Sequence, residues 1–575
     1  MSQLNNQFRP ENHKQLLEKF RPVKEKFNYN VSLQVSPKSR SEVASGIEPY
    51  SGEWRNRNKM HLLKRTIFGP QKKDLSDLNN LTFNQSVDTL LTEVSLLPPP
   101  VNNYNVPSEN ILDPDTAFGE SWVEAPYNND YEGYKILSLK GWILKNIHQS
   151  PLSIHYKLTF FWHNLLVTQF WDIFQAKASY QYYKLLHDNA FGNFRTLIKE
   201  ITINPAMLIY LNGTKNNKEA PDENYARELQ ELFCIGKGPD SKYTESDVQA
   251  AARVLTGWVV DYNSVAKKGV PKSFFFPPFH ETGNKSFSSF YNDTVIEGKT
   301  NEAGEEELDD LLDMIFSNPE TALFICRRLY NFFVYSEIDE TTETNVIKPL
   351  ANIFRENDYE IKPVLEALFK SAHFNDSANH GVVIKNPLDI LFSSVKTLEI
   401  PLLKDEETLS NEFATLNSFV YWGSLLGLEI GDAPSVAGWP AYYQSPQFDK
   451  SWITTDSIAK RAQLTDMVCY AFYANGELFY RTDLIEFVKG FDTPEYPDQL
   501  IEEAELLFLG IPLSEKSKGI LKSILLAGQQ EDYHWSLAWN DHLNNPEDQE
   551  FKNVVENRLR STFINLMQQG EYHLI

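Results

Sequence analysis

Apolar positions along most of this chain recur at spacings of three and four, the pattern of helices that bury one face. From Met60 the run His61-Leu62-Leu63 leads to a stop at Gly69-Pro70. Several helices are predicted between Tyr134 and Tyr210, with Ser150-Pro151 read as an N-cap followed by proline at the first helical position. The run Leu152 to Trp171 is the most apolar, yet His155, Lys157, His163 and Asn164 interrupt it. A membrane span needs about 20 predominantly apolar residues, so this run reads as a buried core helix. Helical spacing returns in EEELDDLLDMIF, in TALFICRRLYNFF and in the C-terminal helices, the last opening at Asn545-Pro546. Strand-like alternation is scarce. The predicted class is mainly α: a large multi-helix globular domain with long irregular loops.

Three stretches break the helical pattern. A Pro- and Asn-rich segment over 97–129 is too long for a simple connection and is expected to lie across the helical body as a loop or lid. Residues 260–300 and the aromatic stretch 432–452 are also irregular. Residues 1–59 read as a polar arm and 60–575 as one large helical domain, with 260–300 as the place where it would subdivide.

Composition narrows the function classes. Hydrophobic residues at 42% and aromatics at 13% describe a globular chain, not a disordered one. A net charge of −24 with no Lys/Arg-rich stripe repels phosphate backbones, which argues against nucleic acid and against a basic membrane-binding helix. Cys234, Cys326 and Cys469 lie far apart without a CxxC pair, so neither a cysteine-rich zinc site nor a disulfide framework is expected, only buried thiols. The N-terminus has no apolar signal core, so the expected protein is soluble and, by default, cytoplasmic.

Chemistry is densest between Pro221 and Trp258. In PDENYARELQELFCIGKG, Asp222 is the expected N-cap and Gly236 the expected C′ stop of one helix. At about 100° per residue, Tyr225, Leu229 and Leu232 share the packing face. Glu223, Arg227 and Glu231 form a ladder on the far side, either a solvated set of ion pairs or, through Arg227, a binding surface. Asn224 and Glu228 stand nearer the core. A carboxylate there is a candidate acid, base or metal ligand, and the structural counterpart is a Glu–Arg strut to Arg253 or Arg195. Thr244-x-x-Asp247 is a capping-box variant opening the next helix, so Asp247 is either a cap or a further catalytic carboxylate. Arg253 on that helix is expected to reach the carboxylates of the preceding one.

His163 in FFWHNLL and His280 in PPFHETGNK are the histidine candidates for general-base or metal-ligand work, with a satisfied core histidine as the plain alternative. His187 has weaker support. Trp439, Tyr442 and Tyr443 could stack on a sugar ring or simply pack their loop. No HExxH, ExxH pair, GxSxG or P-loop occurs.

The chain resembles the bacterial family known as domain of unknown function 1800. The resemblance rests on HLLKRTIFG (61–69), FWHN (161–164), AFGNFRTLI (190–198), NPAMLIYL (204–211), DENYARELQELFCIG (222–236), YTESDVQAAARVLTGW (243–258) and FHETGNK (279–285), and continues through IKNP (384–387), GWP (438–440) and the closing EYHLI. Asp222 stands where the family has Asn, and Glu281 where it has Asp. The resemblance implies a mainly helical fold and bacterial origin, with a tail and spacing like the Bacteroidota-type branch. Many relatives carry export signals. The resemblance brings no activity with it.

Two functional expectations follow. In the first, Glu228 and His163, with Asp247 and His280, are catalytic, Asn224, Arg253, Arg227 and Trp439 bind substrate, and the reaction is hydrolysis of a polymeric, glycan-like substrate by acid/base chemistry or with a divalent metal. In the second, the same groups form an internal network in a non-catalytic scaffold that binds a glycan or a protein.

Overall fold

In the computed structural model the described residues are 42–105, 111–402, 408–474 and 477–575, so the expected polar arm lies, up to residue 41, outside them. Its remainder follows the turn at 370–373, where Tyr50 N donates to the Lys370 carbonyl (2.9 Å) and Ala372 N to that of Glu48 (2.7 Å). Helix at 58% against 5% strand makes the class mainly α.

The helices around the candidate site are α1 (Asn56–Thr66), α2 (Glu132–His148), α3 (His155–Leu165), α4 (Ala176–Asp188), α5 (Pro205–Tyr210), α6 (Glu223–Glu228) and α7 (Glu245–Val254). Later come α8 (Pro387–Val395), α9 (Leu409–Leu425) and α10 (Thr455–Tyr470). α4 meets α2, α3 and α5, α2 packs along α9, and α6 packs along α7.

Every residue of α3 is buried. A helix with no wet face must satisfy its polar side chains inside. His155 does so by accepting from Val94 N (2.8 Å) at Nδ1 and bonding the His187 carbonyl (2.8 Å) at Nε2. The core helix predicted for this run is present, but it starts later than Ser150-Pro151. Ile154 is its N-cap, and the Ser153 hydroxyl just before it accepts from His155 N (3.1 Å) and donates to the Thr92 carbonyl (2.6 Å), whereas the Ser150 hydroxyl turns onto the Pro151 carbonyl (2.9 Å). The last helix likewise opens at Gln549 and not at Asn545-Pro546. Asn545 is held by the Asp541 carbonyl (3.0 Å), while Asp548 offers its carboxylate to Glu550 N (2.9 Å).

The loop over 97–129 is more than a lid. Tyr104 and Trp122 are fully buried in the core, and their polar ends are paired, the phenol with Asp113 (2.7 Å) and the indole with Ser138 (3.2 Å). Burying each such ring stabilises the fold by roughly 1.5–3 kcal/mol. Residues 258–296 carry two small antiparallel hairpins, β1 (Trp258–Val260) with β2 (Ser273–Phe275) and β3 (Lys285–Ser286) with β4 (Val295–Ile296). All three cysteines are buried and unpaired. Among the described residues no helix is long and apolar enough to cross a membrane.

Candidate functional site

Asp222 caps α6 as its position suggests, accepting from Asn224 N (2.8 Å). The expected helix runs on towards Gly236, but not as one regular α-helix. At Leu229 the backbone widens into a π-turn that runs to Cys234. There Ile235 N (2.8 Å) and Gly236 N (3.1 Å) both donate to the Gln230 carbonyl. Phe233 and Cys234 of this turn and the following Ile235 are all buried. Gly236 then ends it at φ +85°, where a Cβ would stand 2.6 Å from the Phe324 ring.

Arg227 lies on the outer side, bonded to Glu223 (3.0 Å) and to Glu245 of α7. Glu231 pairs with Lys237 instead of extending that ladder. Asn224 donates to the Leu211 carbonyl (3.2 Å).

Glu228 stands where α6 meets the π-turn. Among the described residues its buried Oε2 has no hydrogen-bond partner. Burial, and then the neighbouring Glu231, raise its pKa, with Lys237 and Arg227 pulling the other way. Neither expected strut forms: Arg253 bonds Glu281 (3.0 Å) and Arg195 bonds Asp313 (2.9 Å). Arg253 therefore crosses to the 279–285 loop and not back to the preceding helix.

Glu228 has acidic company from distant segments. Burial and then the charges of Asp172, Asp432 and Glu228 together raise the Tyr210 phenol well above its ordinary range. Tyr210 ends α5, and Asp172 follows Trp171 just past α3. Asp432 opens the irregular 432–452 stretch and reaches Lys140 of α2 (2.6 Å), which also pairs with Glu429 and lies 4.8 Å from the Trp171 ring centre. The Trp171 indole donates to Glu429 (2.8 Å) and its backbone N to Asp432 (3.0 Å). Burial lifts Asp432 to about 6; Lys140 opposes the lift and Glu429 adds to it. Lys140, Trp171, Asp172, Tyr210, Glu429 and Asp432 were not singled out in the sequence. The signals available were Trp171-Asp172 closing the most apolar run and Glu429-x-x-Asp432 opening an irregular one.

His163 is fully buried. The Tyr182 hydroxyl donates to the Leu166 carbonyl (2.7 Å), so His163 Nδ1 carries the proton and donates to the Tyr182 oxygen (2.9 Å). Its Nε2 keeps a lone pair with no partner among the described residues. Burial, and then Lys140, depress the imidazole to about 3. Trp439 is 1% exposed and packs on Phe160 and His163, with centroids 5.4 and 5.7 Å away, so it offers no open face to a sugar; Tyr443, at 38%, does.

Asp247 and His280 are engaged elsewhere. Asp247 closes the capping box on Thr244 N (2.6 Å) and accepts from Ser288 N (2.6 Å) and its hydroxyl (2.8 Å), so both oxygens are used. His280 has Nδ1 on the Thr256 carbonyl (2.9 Å) and Nε2 on Glu307 (3.0 Å). Burial alone would raise Glu307, but bonds from His280, Lys285 and Lys299 N hold it below the ordinary carboxylate range. Glu228, His163, Asp247 and His280 thus each have separate surroundings. His187, stacked on His155 with centroids 3.9 Å apart, is buried as well.

Among the described residues no three His, Cys, Asp or Glu side chains gather as metal ligands. A cavity of about 10 Å³, space for about one water, lies beside α6 between Asn216, Asp222, Tyr225 and Trp258.

Fold and site together define a mainly helical protein with a partly buried cluster of acidic side chains. Residues 61–556 match the family described as "Protein of unknown function (DUF1800)", and the chain belongs to that family. No curated protein and no solved structure matches it.

Proposed function

We propose that this protein is a hydrolase that uses acid/base chemistry on a polymeric, glycan-like substrate, with Glu228 and Asp432 as its two working carboxyls. The observation that carries this reading is the gathering of Asp172, Glu228 and Asp432 about Tyr210, with both working carboxyls held above their ordinary range. Pairs of carboxyls with displaced pKa values are the usual equipment of glycoside hydrolysis. Lys140, 2.6 Å from Asp432, favours its ionised form and makes it the base. Glu228 has no bonded cation at its buried oxygen and serves as the acid.

In the reaction, Glu228 gives its proton to the leaving oxygen while Asp432 takes one from water. The water oxygen bonds to the carbon as the old carbon–oxygen bond breaks. A proton then returns from Asp432 to Glu228 through solvent. Half-buried Trp171 and Tyr210, with exposed Tyr443, supply aromatic surface for sugar rings.

The test is release of reducing ends from a panel of polysaccharides and oligosaccharides, with and without a chelator. Glu228→Gln and Asp432→Asn should each lower turnover by about 10²–10⁴-fold. Wild-type turnover in both folded variants would overturn the assignment. Loss of activity in chelator would point to a metal-assisted route.

A second reading, a scaffold that binds without turnover, is favoured by the complete internal pairing of Asp247 and of the His280–Glu307–Lys285 set. Calorimetric binding of a glycan that the wild type leaves uncut would select it.

A further inference from the structure

The β1–β2 hairpin leaves a group of phenylalanines in water. Its second strand alternates: Phe275 turns inward onto Trp258 and His280, with centroids 5.5 and 5.1 Å away, and Phe274 and Phe276 turn outward. Pro277 and Pro278 then fold the chain into a turn in which Phe279 N donates to the Phe276 carbonyl (3.0 Å). That turn brings the Phe279 ring centre 4.9 Å from that of Phe276, which lies 6.4 Å from that of Phe274. The three residues are 46%, 36% and 43% exposed in chain order. Their support is fixed from below. Lys177 of α4 donates to the carbonyls of Ser264 (3.0 Å), Lys267 (2.6 Å) and Gly269 (3.1 Å) in the hairpin connection, and Lys218 N donates to the Phe279 carbonyl (2.7 Å).

Lysines border these rings. Lys215, Lys218, Lys267, Lys268 and Lys272 are all exposed, and among the described residues none of the five has an ion-pair partner. Segments 212–220 and 258–280 carry these five lysines against two carboxylates, Glu219 and Asp261, in a chain whose net charge is −24. Asp261 is spent on a cap, accepting from Asn263 N (3.0 Å). Exposed Glu124, whose carbonyl meets Gly269 N, and exposed Glu302 and Glu305, in the turn that packs on 277–279, bound the basic surface. At cellular ionic strength a charge is screened beyond about 8 Å. Whatever approaches the hairpin therefore meets its lysines before the acidic body.

We propose that this hairpin docks on a bilayer surface that carries anionic lipid headgroups, with Phe274, Phe276 and Phe279 entering the interface and the lysines meeting the phosphates. Apolar rings bordered by lysines are the chemistry that such a surface accepts. The rings meet at 83° and 89°, so they form no flat platform for a sugar chain, whereas insertion between lipids needs no coplanarity. Together they expose roughly 250 Å², far short of the roughly 800 Å² per partner of a standard protein interface. The surface shares no residue with the Asp172, Glu228 and Asp432 cluster, so the inference stands apart from the proposed hydrolysis.

The experiment is sedimentation of the full chain with vesicles of phosphatidylcholine containing about one-third phosphatidylglycerol, beside vesicles of phosphatidylcholine alone. The chain should pellet with the anionic vesicles, and raising the salt should release it. Phe274→Ser, Phe276→Ser and Phe279→Ser together should lower the bound fraction about tenfold. Lys267→Gln, Lys268→Gln and Lys272→Gln together should also lower it and flatten the salt dependence. All six side chains are exposed, so both variants should keep the wild-type melting temperature. No pelleting of the wild type with anionic vesicles would overturn the proposal, as would equal pelleting with both kinds of vesicle. Undiminished binding by the serine variant would overturn it by placing the contact elsewhere, and where that variant fails to fold, undiminished binding by the glutamine variant does the same. Binding to soluble alginate without binding to vesicles would assign the surface to a soluble polyanion instead.

Discussion

Asp247 and Glu228 come from adjacent helices, yet their oxygens are spent in opposite ways. Asp247 accepts bonds from Thr244 and Ser288 at both oxygens, whereas Glu228 keeps a buried oxygen without a partner among the described residues. Replacing Asp247 by Ala should lower stability by about 1–3 kcal/mol, from loss of the cap and two orphaned donors. Chemical denaturation measures this, and turnover per folded molecule should stay within about twofold. Asp432 gives a pH prediction. As the base it must be ionised, so activity should rise as pH increases through about 6. Lys140→Met removes the cation that favours the ionised carboxylate, and the acidic limb should move up by about one pH unit. An unmoved limb would mean that another group sets it.

At the scale of elements, short polar punctuation was legible and long-range helix geometry was not. The Asp222 cap, the Thr244–Asp247 box and the Gly236 stop depend on residues within a few positions of each other. The π-turn at Leu229–Cys234, with Phe233, Cys234 and the following Ile235 buried, depends on surroundings that a helical wheel does not contain. The stretch at 438–440 shows the same dependence. Gly438 has φ +91°, and a Cβ would stand 2.4 Å from the Asn164 carbonyl oxygen. The next residue, Trp439, donates its backbone N–H to Asn164 (3.0 Å) and packs on His163. Gly438→Ala should therefore cost about 1–3 kcal/mol and loosen Trp439. A lower melting temperature with a weakened near-ultraviolet tryptophan signal is the expected result, and an unchanged spectrum would separate this turn from the His163 pocket.

For the whole molecule, the buried histidines set the response to acid. Burial is the first cause lowering His148, His163, His187 and His380, to about 4, 3, 3 and 4. The unfolded chain takes up their protons near pH 6.5 and the folded chain does not. Each thus contributes stability that is present above pH 6.5 and declines as pH falls, by up to about 1.4 kcal/mol per pH unit. Asp432 and Asp466, each raised to about 6 mainly by burial, act in the opposite sense and oppose part of the decline. The denaturant midpoint should therefore fall between pH 7.5 and 5.5, and a flat or rising midpoint would contradict these buried neutral imidazoles.

The sequence by itself determined the helical class, the family and the local devices, because periodicity, caps and stops act within one or two helical turns. It also marked Glu228 as a carboxylate at the edge of a packing face. Only the tertiary structure decided what stands around it. Lys140, Trp171, Tyr210 and Asp432 come from segments far apart in the chain, and their meeting depends on how α2, α3 and α5 pack. The same holds for Lys385 and Arg461, whose types suggest surface but whose side chains lie wholly inside. Residue type sets the cost of burying a charge, but packing alone settles which charges are buried and what they face.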